Sequence, residues 1–202
     1  MRLPTIILIT VLGSVCIAEP NAASYEPTPG KEVKLTSPAG DILVFVPADY
    51  NESCDWPVIF YYHGQGETLS TERLQTATAG QGFVIVSMEF APMPAEHLNI
   101  RQYKTYVEQE MKNLGAVRHM LQSKLRINPK MTVLAGVSRG GWLVSSMIDY
   151  RPQIASAALI TCAGIKTGML DTIFTLKGKA IFIGAGENDQ NLSAAQKAAA
   201  YF

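Results

Sequence analysis

The chain has 202 residues, 48% of them hydrophobic and 17% charged, and its 17 basic and 17 acidic side chains leave no formal net charge. This profile is that of one soluble globular domain whose core needs no disulfide or metal staple. It carries no basic stripe for nucleic acid and no acidic tail.

The chain opens with MRLPTIILITVLGSVCIAEP, in which Arg2 is followed by an apolar run from Leu3 to Ala18. The run is short and weakly flanked for a membrane span. A positive start, a short apolar stretch and small residues before a polar break predict a secretory signal over residues 1–18. Processing after Ala18 or Ala23 would start the mature chain at Glu19 or Ser24. The expected location is secreted or periplasmic, with no stable membrane association after cleavage. An uncleaved single-helix anchor is the alternative, and lipidation of Cys16 is disfavoured by the bulk of Val15. Residues 19–30, EPNAASYEPTPG, read as an N-terminal arm rich in Pro, Ala and Gly.

Two short strands are predicted next, Lys31–Thr36 and Asp41–Val46, joined into a hairpin by Ser37-Pro38-Ala39-Gly40. The rhythm then changes. Apolar runs without alternation, at Pro57–Tyr62, Gly82–Met88, Met131–Ala135, Ile154–Ile160 and Ala180–Ile183, predict strands covered on both faces. Between them Tyr103, Val107, Met111, Leu114, Val117, Leu121 and Leu125 recur every three or four residues, which predicts one helix from Ile100 to Leu125 with a buried stripe. Helices are also expected over Gly140–Tyr150 and Leu192–Phe202. The expected fold is α/β, a three-layer sandwich on a mostly parallel sheet with antiparallel N-terminal strands, over residues 31–202.

Two cysteines follow the leader. Cys54 precedes one predicted parallel strand and Cys162 follows another, so they fall at opposite ends of the sheet. A five-residue strand spans about 17 Å, whereas bridged Cα atoms lie about 4.4–6.8 Å apart. Two free thiols are therefore expected. Asn51-Glu52-Ser53 and Asn191-Leu192-Ser193 fit the N-glycosylation pattern, which matters only in a eukaryotic secretory pathway.

In parallel sheets reactive groups gather at the carboxyl ends of strands. The first such end is Gly136-Val137-Ser138-Arg139-Gly140, the G-x-S-x-G pattern between a predicted strand and a predicted helix. The tight turn strains Ser138, and Gly136 and Gly140 let strand and helix pass close beside it. The second is His63-Gly64-Gln65-Gly66-Glu67, where the Gln65 N–H can point at a developing oxyanion with the Arg139 N–H as second donor. The third is Gly186-Glu187-Asn188-Asp189-Gln190-Asn191. Asp189 is the candidate carboxylate that would orient a histidine, Glu187 is its rival, and helix capping is the plain alternative for Asp189.

HGQGE, GVSRGG and GENDQN resemble motifs of the α/β-hydrolase superfamily, and most nearly its secreted esterase, polyhydroxybutyrate-depolymerase-like and predicted-peptidase groups. The resemblance runs from about Val33 to Asn191. It implies Ser138 as nucleophile, Asp189 as acid, Gln65 and Arg139 as oxyanion donors, and a histidine after the acid. The chain has three histidines, His63, His97 and His119, all before Ser138. His63 is expected to brace its loop and His119 to lie on a helix surface. His97 falls in the loop after the Gly82–Met88 strand. The order nucleophile, acid, histidine implies a last strand and the base beyond Phe202, so the 202 residues are expected to be a C-terminally incomplete domain.

The expected function is a secreted serine hydrolase of carboxylic esters, or secondarily of peptide bonds, acting on a small or polymeric ester. The alternative is a non-catalytic binding protein on the same fold that lacks the histidine. No metal or organic cofactor is implied, because no ligand spacing of Cys and His occurs. Arg139 and the Phe90–His97 loop are candidates for lining the pocket.

Overall fold

In the computed structural model of the chain, residues 28–91, 99–166 and 178–202 are described. The predicted signal, most of the arm and His97 lie outside them. The hairpin forms first, from β1 (Glu32–Ser37) and β2 (Gly40–Phe45), with Ser37 paired to Gly40 across the turn. Then come β3 (Trp56–Tyr62), α1 (Glu72–Ala77), β4 (Val84–Met88), α2 (Ile100–Gln122), β5 (Ile127–Val137), α3 (Arg139–Tyr150), β6 (Ala157–Thr161), β7 (Ala180–Gly184) and α4 (Leu192–Tyr201).

The strands join one sheet in the order β1-β2-β4-β3-β5-β6-β7. β1 with β2 and β2 with β4 are antiparallel. Every pairing from β4 onward is parallel, with Tyr62 level with Gly136, Gly136 level with Ile160, and Ile160 level with Ile183. The carboxyl ends of β3, β5, β6 and β7 therefore share one edge.

The alternating faces of the strands make two cores. Val58, Phe60, Tyr62, Val84, Val86 and Leu134 meet the apolar stripes of α2 and α3 in the larger one. Ile59, Tyr61, Ile85 and Ala135 meet Leu74 of α1 in the smaller one. Burying each large aliphatic side chain contributes roughly 1.5–3 kcal/mol, so the strand runs that lack polar residues are those enclosed on both faces. Among the described residues no helix is long and apolar enough to cross a membrane.

Several boundaries differ from the pattern, and four of them have a local reason. The helix expected to reach Leu125 ends at Gln122, where the Ser123 hydroxyl donates to the Met120 carbonyl, 2.7 Å, and Leu125 is buried by the following turn. β5 begins at Ile127, not Met131, pairing with Trp56 before an irregularity at Trp56/Val58. Pro129 interrupts the apolar run there and hides the first part of the strand. Pro152 opens a 3₁₀ turn through Ile154, so β6 starts at Ala157. β4 starts at Val84, since Gly82 takes a φ of +78°. α1 was not anticipated; six residues give too few repeats to read.

Cys54 and Cys162 are both free. Cys54 is exposed and Cys162 half-buried, at opposite edges of the sheet. A thiol reagent applied without reductant should find Cys54 reacting quickly in the folded protein and Cys162 only slowly. Unfolding should release both, and a peptide linking the two would contradict the strand order.

Candidate active site

The β5–α3 junction is built by exclusion. Ser138 has φ +51° and ψ −117°, a conformation that costs a non-glycine residue about 1–3 kcal/mol and persists only when its surroundings impose it. Here they do. The Ser138 N–H donates to the Thr161 carbonyl of β6, 2.8 Å, and the Thr161 hydroxyl donates to the Gly136 carbonyl, 3.2 Å. A Cβ on Gly136 would stand 2.7 Å from the Gly141 nitrogen. One on Gly140 would overlap the Tyr62 carbonyl and stand 2.8 Å from the His63 oxygen. The helix thus starts flush against the ends of β3 and β5. The Ser138 side chain makes no capping hydrogen bond, although it stands at the N-cap of α3. The first amides of α3, from Arg139 onward, have no intrahelical acceptors and carry the positive end of the helix dipole.

The His63–Glu67 turn follows β3 and meets this junction through the Gly140 contact. His63 Nδ1 donates to the Gly64 carbonyl, 2.9 Å, and its ring lies 5.0 Å from that of Phe90. This is the bracing role expected of it. The Gly64 N–H donates to Glu67 Oε2, 2.9 Å, and the Glu67 N–H returns to the Gly64 carbonyl, 3.3 Å. The N–H of exposed Gln65 has no partner among the described residues.

Asp189 lies in the loop between β7 and α4. Its carboxylate accepts the Asn191 N–H, 2.7 Å, while Asn191 is the N-cap residue, so Asp189 closes a turn ahead of the helix rather than capping it. It also interacts with the Cys162 thiol at the end of β6. That contact raises the thiol pKa and, with the Asn191 N–H, holds the carboxyl below its ordinary range. Glu187, the rival carboxylate, is exposed and takes no such contact among the described residues. Neither described histidine is among the partners of Asp189. His119 is exposed in the last turn of α2, as expected.

The structure therefore brings Ser138, Arg139, Gln65 and Asp189 to one edge of the sheet. Three features were not legible in the sequence. Arg73 of α1 binds Glu67. Cys162 interacts with Asp189. Glu110 of α2 is 1% exposed within the apolar stripe. Its only signal was a carboxylate three residues after Val107 on that face. Burial pushes the Glu110 pKa up, and its oxygens accept the Ala91 N–H, 3.1 Å, and the Asn113 amide, 3.2 Å. Arg139 donates to the Ala91 carbonyl, 2.8 Å, with its guanidinium 5.0 Å over the Phe90 ring. Together these hold the residues that follow β4. Lys34, Asp41, His63, Glu67, Phe90 and Arg139 line a cleft of about 550 Å³ that opens beside the turn. Phe90 and Arg139 thus line the cleft as expected, and the rest of the loop to His97 is outside the described residues. Among the described residues no group of three or more His, Cys, Asp or Glu is placed to hold a metal ion.

No family model matches the chain, and no curated protein matches it. Solved structures do. A ferulic acid esterase from Anaeromyces mucronatus, in complex with ferulic acid, superposes with a TM-score of 0.55 at 13% identity, covering 90% of this chain and 80% of that one. Esterase 2 of Thermogutta terrifontis, phosphonylated by sarin, gives 0.52 at 15% identity over 74% and 60%. A mutant of the feruloyl esterase module from Clostridium thermocellum, complexed with sinapinate, gives 0.51 at 15% identity, again over 74% and 60%. The chain thus spans 60% of the length of two of these proteins. At such identities the likeness bears on the fold alone. With the sheet order and the crossovers it shows that this chain has an α/β-hydrolase-type fold, a three-layer sandwich on a mostly parallel sheet with antiparallel N-terminal strands.

Proposed function

We propose that the protein is a serine hydrolase of carboxylic esters that works through an acyl-enzyme on Ser138, with peptide bonds as the secondary substrate class. The observation that carries the reading is the backbone of Ser138, held at φ +51° between a strand and a helix by glycines that no larger residue can replace. Ala79 and Cys162 share the positive φ, but Ser138 combines it with a ψ of −117° and with a hydroxyl that makes no capping hydrogen bond at the start of α3.

In this reading the Ser138 hydroxyl attacks the carbonyl carbon and gives its proton to a histidine. The carbonyl oxygen, now negative, is met by the Gln65 and Arg139 N–H groups and by the start of α3. The tetrahedral intermediate then collapses and the alcohol leaves with the proton. Water repeats the sequence to release the acid. In this reading Asp189 orients the histidine that takes and returns the proton. One observation favours the second reading, a binding protein without turnover: the Asp189 carboxylate is already engaged by Cys162 and the Asn191 N–H.

An organophosphorus probe tests the choice, and one structural neighbour is phosphonylated by sarin. Incubation of the full-length protein with a fluorophosphonate should add one phosphonyl group, and peptide mapping should place it on Ser138. An adduct on another residue, or none where a serine esterase is fully labelled, would end the hydrolase reading.

A further inference from the structure

We propose that Glu67 is a positioning residue: its carboxylate, locked by Arg73, takes the Gly64 N–H and thereby leaves the Gln65 N–H as the donor that the turn offers to the oxyanion. The inference rests on the reading of Ser138 as nucleophile.

A short turn at a strand end has several amides and no intrinsic reason to aim one of them. In this turn every polar backbone group of Gly64 is occupied. Its N–H goes to Glu67 Oε2, and its carbonyl receives both the Glu67 N–H and His63 Nδ1. The carboxylate lies so near the backbone that a Cβ on Gly64 would meet its carbon at 3.3 Å. The next amide, that of Gln65, is left outside this ring of bonds. The turn is thereby sorted into two structural amides, those of Gly64 and Glu67, and the open amides of Gln65 and Gly66, of which that of Gln65 stands nearer the end of β3.

The sorting works only if the carboxylate is fixed, and Arg73 fixes it. Nη2 donates to Oε1 at 2.8 Å and Nη1 to Oε2 at 3.1 Å, a two-point pairing. The same Nη1 reaches the Tyr61 hydroxyl on β3, 3.2 Å. An isolated exposed ion pair contributes little to stability. A forked guanidinium–carboxylate pair instead supplies geometry, since both partners are planar and two bonds set their mutual angle. The turn is thus tied through Glu67 and Arg73 to α1 and to the strand from which it springs. The Arg73 hydrogen bond, with the Gly64 N–H, holds the Glu67 carboxyl below the usual glutamate range, so the brace stays charged at neutral pH. Glu67 is exposed and outside both cores, which separates its role from folding.

The test uses the full-length protein and the variants Glu67→Ala, Glu67→Gln and Arg73→Met. Three quantities are read: the phosphonylation rate at Ser138, kcat and KM on p-nitrophenyl acetate, and amide exchange over residues 63–67. Loss of one oxyanion donor costs about 10²–10³-fold in kcat, and a donor that is displaced and not lost should cost about 10–100-fold. Glu67→Ala is expected to lower kcat and the phosphonylation rate by that factor with KM little changed, and to speed exchange at Gly64 while β3 and α3 keep theirs. Glu67→Gln should recover most of the rate, because its amide oxygen still accepts the Gly64 N–H. Arg73→Met should fall between them. A Glu67→Ala protein that reacts like wild type, or that loses rate only in step with its melting temperature, overturns the brace. Should wild type fail to react at all, the hydrolase reading alone fails, and unchanged Gly64 exchange in Glu67→Ala overturns the brace by itself.

Discussion

Ser138→Ala should abolish ester turnover and organophosphate labelling while leaving the fold intact. Removing a nucleophile leaves only what binding and oxyanion contacts supply, about 10³–10⁴-fold over the uncatalysed reaction. Against a working serine esterase that is a loss on the order of 10⁶-fold in kcat. The stability side separates chemistry from architecture. Alanine is as strained as serine at φ +51°, so Ser138→Ala should melt within about 0.5 kcal/mol of wild type. Ser138→Gly should be equally inactive yet more stable. Glycine escapes a strain of about 1–3 kcal/mol and gives back about 0.5–1 kcal/mol in unfolded-state entropy. The expected net gain is about 1 kcal/mol, or about 2–4 °C in Tm for a domain of this size. The measurements are p-nitrophenyl ester kinetics and thermal unfolding on the three proteins. An active Ser138→Ala enzyme would falsify the serine mechanism. A Ser138→Gly protein less stable than wild type would show that the junction is not strained.

Gly140→Ala should be the most destabilising single-methyl change in the molecule. The added Cβ would overlap the Tyr62 carbonyl, stand 2.5 Å from its carbon and 2.8 Å from the His63 oxygen. All of these are backbone atoms at the end of a central strand, so no side chain can swing aside. Overpacking a well-filled site typically costs about 1–3 kcal/mol, and a clash with fixed backbone should reach or exceed the top of that range. Relief requires α3 to withdraw from β3, which pulls the Arg139 N–H away from the oxyanion position. Any folded fraction should therefore lose kcat as well as stability. Gly66→Ala is a useful contrast: its φ of +77° strains an alanine, but nothing lies within 4 Å of the new Cβ. Denaturant unfolding should rank Gly140→Ala well below Gly66→Ala. Equal losses would mean that the junction relaxes around the added Cβ, since Gly140, unlike Gly66, has no positive φ to strain.

The sequence by itself determined the sheet class and the place of the strand-to-helix turn that carries Ser138. Continuous apolar runs at Pro57–Tyr62 and Met131–Ala135 bury both faces, and that property is written in consecutive residues. The turn glycines flanking Ser138 are equally local, since a strand that turns into a helix within five residues needs them wherever it occurs. The hairpin and α2 followed from local period and turn residues, whereas Ser123, Gly82, Pro129 and Pro152 shifted boundaries of α2, β4, β5 and β6, and α1 was too short to read. Tertiary structure decided what depends on partners distant in the chain. Nothing around Arg73 marks it as the clamp on Glu67, because the pairing exists only once α1 packs beside the end of β3. Nothing in the Asp189 loop announces Cys162, which is brought there by the parallel register of β6 and β7. Glu110 broke the apolar stripe of α2, yet its use became visible only when the residues after β4 supplied the Ala91 N–H to satisfy it. Backbone periodicity is a short-range code, whereas the choice of which amide stays open and which carboxylate is held is made by contacts that chain folding alone creates.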